Sequence, residues 1–210
     1  MENLDSIIEG IRAALEAKNR ARDLTIEHSR ALVRLCGNAI RAMHRQDRAA
    51  ALQGLAEARA LLAKMAETAR QHPDLGYAGY YQDAAKEVAE AALTLALLDD
   101  APLPTPESLG VEPATYLNGL CEAASELRRY TLDILRNAHE SEAERLLAKM
   151  DTVYDVLMTF DFPDAVSGGL RHRVDALRGV LERTRGDVTM SLRQHHLQAA
   201  LERADQTSKP

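Results

Sequence analysis

YLNGLCEAASELRR, the run from Tyr116 to Arg129, decides the fold. Between Leu120 and Leu127 every residue other than Glu122 and Glu126 is small or apolar, and no proline interrupts the run. Residues of this kind favour helix, and small ones let a second helix come close. Glu122 and Glu126 stand four positions apart, so both carboxylates leave one face of that helix.

Thirty residues earlier the pattern recurs. Glu87 and Glu90 are three positions apart beside the apolar stripe of Val88, Ala91, Leu95 and Leu98. A carboxylate within a helix core needs a partner, because an unpaired buried charge costs several kcal/mol. Two such helices packed together would bring carboxylates to one point, which is a hard-cation site in outline.

Working outward, alternation of apolar clusters with breakers predicts seven helices and no strand. The first runs from Leu4 to about Arg48 with one kink allowed, the second from about Ala49 to Gln71, where His72-Pro73 stops it. The third spans about Tyr77 to Leu98. Residues 99 to 113 hold four of the seven prolines and Gly110, so they read as a loop inside one bundle. The fourth helix covers about Ala114 to Ala138, and the fifth about Ser141 to Phe160. After the Pro163 and Gly168-Gly169 loop, the sixth and seventh cover about Leu170 to Arg185 and Val188 to Ala204. The expectation is one helical domain over 1–205, with a frayed tail at 206–210.

Composition agrees with an all-α chain. Of 210 residues, 46 % are hydrophobic but only 4 % aromatic, with no Trp, and the helix formers Ala, Leu, Glu and Arg dominate. The most apolar stretch, Val88 to Leu98, contains Glu90 and is too short to span a bilayer. Cys36 and Cys121 lack metal-type spacing and follow no secretory signal, which predicts a reducing, cytoplasmic home. Cys121 is read as a small core residue.

Charge is unevenly distributed. Residues 12 to 48 carry nine Lys or Arg against four Asp or Glu, residues 171 to 203 seven against four, and residues 49 to 170 nine against twenty. Basic ends around an acidic middle suit a protein that meets a polyanion while its carboxylates hold cations. Ordinary solvated helix faces would produce the same pattern.

Ligand chemistry narrows the options. None of the seven histidines follows a Glu by three positions, which disfavours a ferritin-like di-iron bundle. Carboxylates without His or Cys suit Mg²⁺ or Mn²⁺, and these ions serve hydrolysis at phosphorus. All-α nucleotide pyrophosphohydrolases and metal-dependent nucleases both remain open at this point. His195-His196 reads as a solvated helix end. Tyr77, Tyr80 and Tyr81 are read either as base-stacking platforms or as packing at a helix start.

The string Tyr116 to Arg129 closely resembles the signature of the translin family, in which a Tyr-Leu-x-Gly run leads into a Glu-Leu-x-Arg helix. Arg22-Asp23-Leu24-Thr25-Ile26-Glu27 with Ser29 and Arg30 resembles the family's first long helix. Leu170 to Arg178, LRHRVDALR, resembles its penultimate one. The matches run in order through nearly the whole chain.

That resemblance implies a seven-helix bundle of long antiparallel helices. It lies closest to the branch of translin-associated factor X, a Mg²⁺-dependent endoribonuclease with a Glu-x-x-Glu on its third helix, matched here by Glu87 and Glu90. An Asp of that branch, four positions before the Glu of Glu-Leu-x-Arg, is Glu122 here, one methylene longer. Glu126 matches a glutamate present in both branches.

The implied site is Mg²⁺ or Mn²⁺ on Glu87, Glu90 and Glu122, with Glu126 as a further ligand, acting on single-stranded RNA. Arg22, Arg30, Arg34, Arg129, Arg171 and Arg173 are the implied phosphate contacts. Single-stranded DNA is an alternative partner, and a homo-oligomer, an octamer or a related assembly, is the implied state. A non-catalytic translin-like binder of single-stranded RNA or DNA is the alternative within the family.

Overall fold

The structure is a computed structural model that describes residues 3–136 and 139–207. Among the described residues it is all-α, with helices α1 (Leu4–His44), α2 (Arg48–Gln71), α3 (Pro73–Gly76), α4 (Gly79–Leu98), α5 (Pro106–Leu109), α6 (Pro113–Leu135), α7 (Glu140–Leu157), α8 (Asp164–Ser167) and α9 (Leu170–Thr207). Residues 137 and 138, the predicted end of the fourth helix, and 208–210 of the predicted tail lie outside the described residues. None of these helices is long and apolar enough to cross a membrane.

The predicted sixth and seventh helices are one. Gly186 sits inside α9, where a lone glycine costs only about 1 kcal/mol relative to alanine. Arg128 of α6 bridges the position, donating to the Thr184 hydroxyl at 3.0 Å and pairing with Asp187 at 2.8 Å. Buried Thr184 and Val188 flank the glycine on the core side. The 41 residues of α1 likewise form one helix through Gly10 and Gly37.

Three single-turn helices fill segments read as loops or helix edges. Each is set by local chemistry. Pro73 stops α2 and opens α3. Thr105 accepts a hydrogen bond from the Ser108 amide at 3.2 Å, Pro106 takes the first helical position, and Gly110 ends α5 at φ +70°. Asp164–Ser167 closes on Gly168 in the left-handed region, at φ +63°.

Two compact units are formed, Met1–Ala92 with Pro104–Tyr116, and Leu93–Leu103 with Leu117–Pro210. In the first, α2 folds back along α1, and Leu32, Cys36, Ala39 and Met43 are buried with Leu55, Ala58, Leu62 and Met65. Asp47 caps α2 by accepting from the Ala50 amide at 3.1 Å. The N-terminal half of α1 leaves Ile7, Ile8, Ile11 and Leu15 exposed.

In the second unit α7 packs on α9. Leu146, Met150 and Leu157 are buried along with Leu170, Leu177 and Leu181. Fully burying a leucine stabilises by roughly 1.5–3 kcal/mol, so this seam is a main source of order there. Arg145 and Lys149 of α7 reach residues 97–100, with Arg145 bound to Asp100 and Glu142 and Lys149 bound to Asp100 and the Leu97 carbonyl. They cap the carbonyl end of α4, where cations are favoured.

Candidate functional site

Glu87 and Glu90 lie one turn apart in the middle of α4, and both are half-buried. Their neighbours Val88, Ala89 and Ala91 are completely buried, so the glutamates are held at the margin of the core. Lys86 Nζ stands 3.4 Å from Glu87. Cys36 of α1 faces this part of α4. Its thiol is pushed up to about 12, first by burial and then by the charges of Glu87 and Glu90.

Glu122 occupies the equivalent margin on α6, with Cys121, Ala123 and Ala124 buried around it. Its Oε1 accepts from Arg173 Nε of α9 at 3.0 Å. The same guanidinium donates from Nη1 to Asn118 Oδ1 at 3.2 Å and to the Gly168 carbonyl at 3.0 Å. Asn118 in turn donates to the Ser167 carbonyl at 2.8 Å. The end of α8, the start of α9 and one face of α6 are thus joined through a single arginine. Cys121 is also pushed up to about 12, by burial and then by Glu122, with Arg173 opposing.

Glu87 and Glu90 lie in the first unit and Glu122 in the second, and each presents a half-buried carboxylate. Glu126 stands one turn beyond Glu122 and is also half-buried. Carboxylate oxygens suit a hard cation, which takes oxygen ligands at about 2.0–2.6 Å. A half-buried setting strengthens the attraction of a carboxylate for a cation.

The six arginines divide into two kinds. Arg22, Arg30 and Arg34 on α1, Arg129 on α6 and Arg171 on α9 are exposed. Arg22 pairs with Asp23 at 3.0 Å, and Arg171 lies 3.9 Å from Asp161. Arg173 is half-buried against Glu122 and serves as its anchor. Sequence reasoning missed the Asn118 and Arg173 pairing. One signal existed, since Asn118 lies four positions before Glu122 and shares its helix face. His195 also departs from a free helix end, because its Nδ1 meets Glu140 at the start of α7.

No family model matches the chain. It is similar to AfC3PO, solved as a duplex RNA complex, at 33 % identity and a TM-score of 0.80 over 88 % of this chain and 95 % of that one. A second AfC3PO structure matches at 33 % identity and 0.80, with coverage of 88 % and 96 %. The apo-NeC3PO structure gives the same TM-score at 17 % identity, a likeness of fold. The chain is also 28 % identical over 187 residues to the uncharacterized protein MJ0175 of Methanocaldococcus jannaschii, covering 86 % of this chain and 83 % of that protein.

Proposed function

The chain belongs to the translin/C3PO family, and from that premise we propose that it binds RNA and cleaves it as a Mg²⁺- or Mn²⁺-dependent endoribonuclease of the translin-associated factor X kind. The observation that carries the reading is the half-buried Glu87 and Glu90 pair, one turn apart on α4, in a chain 33 % identical to AfC3PO. Carboxylate oxygens without His or Cys fit either ion. Glu126, one turn beyond Glu122 on α6, is proposed as a further ligand.

The ion when bound supplies Lewis acidity at the phosphodiester and an activated water. The chain's residues do the rest. Arg173 holds Glu122 in one orientation, and Asn118 and the Gly168 carbonyl hold Arg173. Arg22, Arg30, Arg34, Arg129 and Arg171 are exposed cations able to meet the RNA phosphates. The AfC3PO structure with duplex RNA supports RNA as the ligand class. Single-stranded RNA is the substrate proposed, since its phosphodiester can turn in line with an attacking water. The exposed Ile7, Ile8, Ile11 and Leu15 of α1 support a homo-oligomer, because monomers seldom expose such a stripe.

One observation favours a second reading, RNA binding without cleavage. Arg173 already gives Glu122 a cationic partner, so that carboxylate is compensated without a metal. A single experiment separates the two. Labelled single-stranded and duplex RNA, and separately nucleoside triphosphates, are incubated with Mg²⁺, Mn²⁺ or EDTA beside Glu90→Ala. Cleavage of single-stranded RNA that EDTA and Glu90→Ala both abolish is expected. Retention of RNA without cleavage under every condition leaves the binding-only reading, and release of pyrophosphate or phosphate from triphosphates overturns both.

A further inference from the structure

The tyrosines at the start of α4 and the acidic residue before α6 belong to a second feature. A cleft of about 320 Å³ opens between the end of α2, the α3 turn and the segment after α5, lined by Arg70, Gly76, Tyr77, Tyr81, Val111 and Glu112. That volume lies at the lower end of small-molecule sites. Tyr77 is 78 % exposed at its rim, whereas Tyr81 is 8 % exposed at its floor.

Two opposite charges converge on the floor. The Tyr81 hydroxyl is pushed up by burial and then by the Glu112 carboxylate, with the Arg70 guanidinium acting in the other direction. It therefore remains a proton donor. Gln82 is committed elsewhere, since its Nε2 donates to the Gly76 carbonyl at 2.7 Å and its Oε1 accepts from the Thr115 hydroxyl. Arg70 is shared with Glu67. Among the described residues the Glu112 side chain makes no hydrogen bond or ion pair, so the cleft offers one carboxylate acceptor, one phenol donor, one guanidinium and one exposed aromatic face.

We propose that this cleft takes a single unstacked guanine base, with Tyr77 stacking on the ring, Glu112 accepting from N1–H and the 2-amino group, and Arg70 meeting the adjoining phosphate. A carboxylate is an acceptor only, and guanine alone of the four RNA bases presents two adjacent donors on its pairing edge to match it. Stacking on an aromatic ring is available to every base and sets affinity, so Glu112 sets the choice. The assignment deepens the RNA-binding reading and rests on it for the source of the base. The same chemistry would also hold a free guanine nucleotide.

The test titrates the full chain with GMP and with AMP, following binding calorimetrically, beside otherwise identical short single-stranded RNAs with and without one guanine. GMP is expected to bind roughly tenfold tighter than AMP, the scale of hydrogen bonds to a charged group. Glu112→Gln, close in shape, removes that difference, and Tyr77→Ala weakens both nucleotides roughly fivefold or more. Equal binding of GMP and AMP, or a difference that survives in Glu112→Gln, overturns the pocket. Either result with RNA binding intact leaves the broader reading standing. Discrimination between nucleotides without binding of either RNA supports the pocket as a free-nucleotide site and overturns the RNA reading.

Discussion

Arg173 Nε of α9 donates to Glu122 Oε1 of α6 at 3.0 Å, across 51 positions of sequence. The arginine acts on the carboxylate by holding it in place, because its Nη1 is fixed by Asn118 and Gly168. Arg173→Ala is expected to lower stability by about 1–2 kcal/mol in urea denaturation. It should also cut Mn²⁺ affinity and RNA cleavage roughly ten- to hundredfold, the scale of groups that orient a metal ligand. Arg173→Lys keeps the charge but loses the fork, so it should recover stability only in part. Unchanged metal affinity in Arg173→Ala would show that Glu122 needs no anchor.

The exposed arginines should behave differently. Removing Arg30 and Arg34 together is expected to leave the urea midpoint within about 0.5 kcal/mol of the parent. The slope of log RNA affinity against log salt should fall by roughly one to two, about 0.7 for each single-strand phosphate that an arginine no longer neutralises. An unaltered slope measured from 50 to 300 mM salt, conditions set on the order of those that resolve counterion release, would place the phosphate track elsewhere.

Acid should act on the second unit through Arg145. Its guanidinium lowers Glu142, chiefly by hydrogen bonding, and Lys149 together with Arg145 lowers Asp100. A carboxylate lowered in the folded state contributes stability that is present above its ordinary value and lost as pH falls through the folded one. The thermal midpoint should therefore decline as pH drops below the ordinary glutamate value of 4.5. Arg145→Ala should cost more at pH 7 than at pH 3. Equal losses at the two pH values would contradict the ion-pair account.

Both thiols should be silent in the native protein. Cys36 and Cys121 are buried and pushed up to about 12, so only about one molecule in ten thousand carries a given thiolate at pH 8. A thiol reagent such as Ellman's should report close to zero groups before urea and two after unfolding. Prompt reaction of either cysteine in the folded state would mean that its helix opens locally.

What the sequence made legible follows from the range of each interaction. Glu87 with Glu90 and Glu122 with Glu126 were readable because helical spacing fixes their facing, whatever the helix packs against. The proline-rich 99–113 segment was readable as a break for the same local reason, though α5 within it depends on a cap, Thr105, that is easy to overlook. Continuity of α9 was not legible, since it depends on Arg128 reaching Thr184 and Asp187 some 56 positions away. The division of the arginines was equally hidden. Arg171 and Arg173 look alike in the string LRHRVDALR, and only the turn of α9 on the second unit decides that one faces outward and the other meets Glu122.

Gly168 carries no functional group, yet it limits what the acidic margin of α6 can become. Its φ of +63° is one that side chains rarely adopt, and a Cβ placed there would stand 3.1 Å from Asn118 Nδ2. Its carbonyl, meanwhile, is one of the acceptors that aim Arg173 at Glu122. Any side chain at 168 would push on Asn118 from one side while twisting that carbonyl from the other, and the displacement would arrive at a carboxylate 46 positions upstream. The reach of Glu122 is in this sense gauged by a missing methyl group, and drift at 168 would be registered at the acidic site before it was felt in the core.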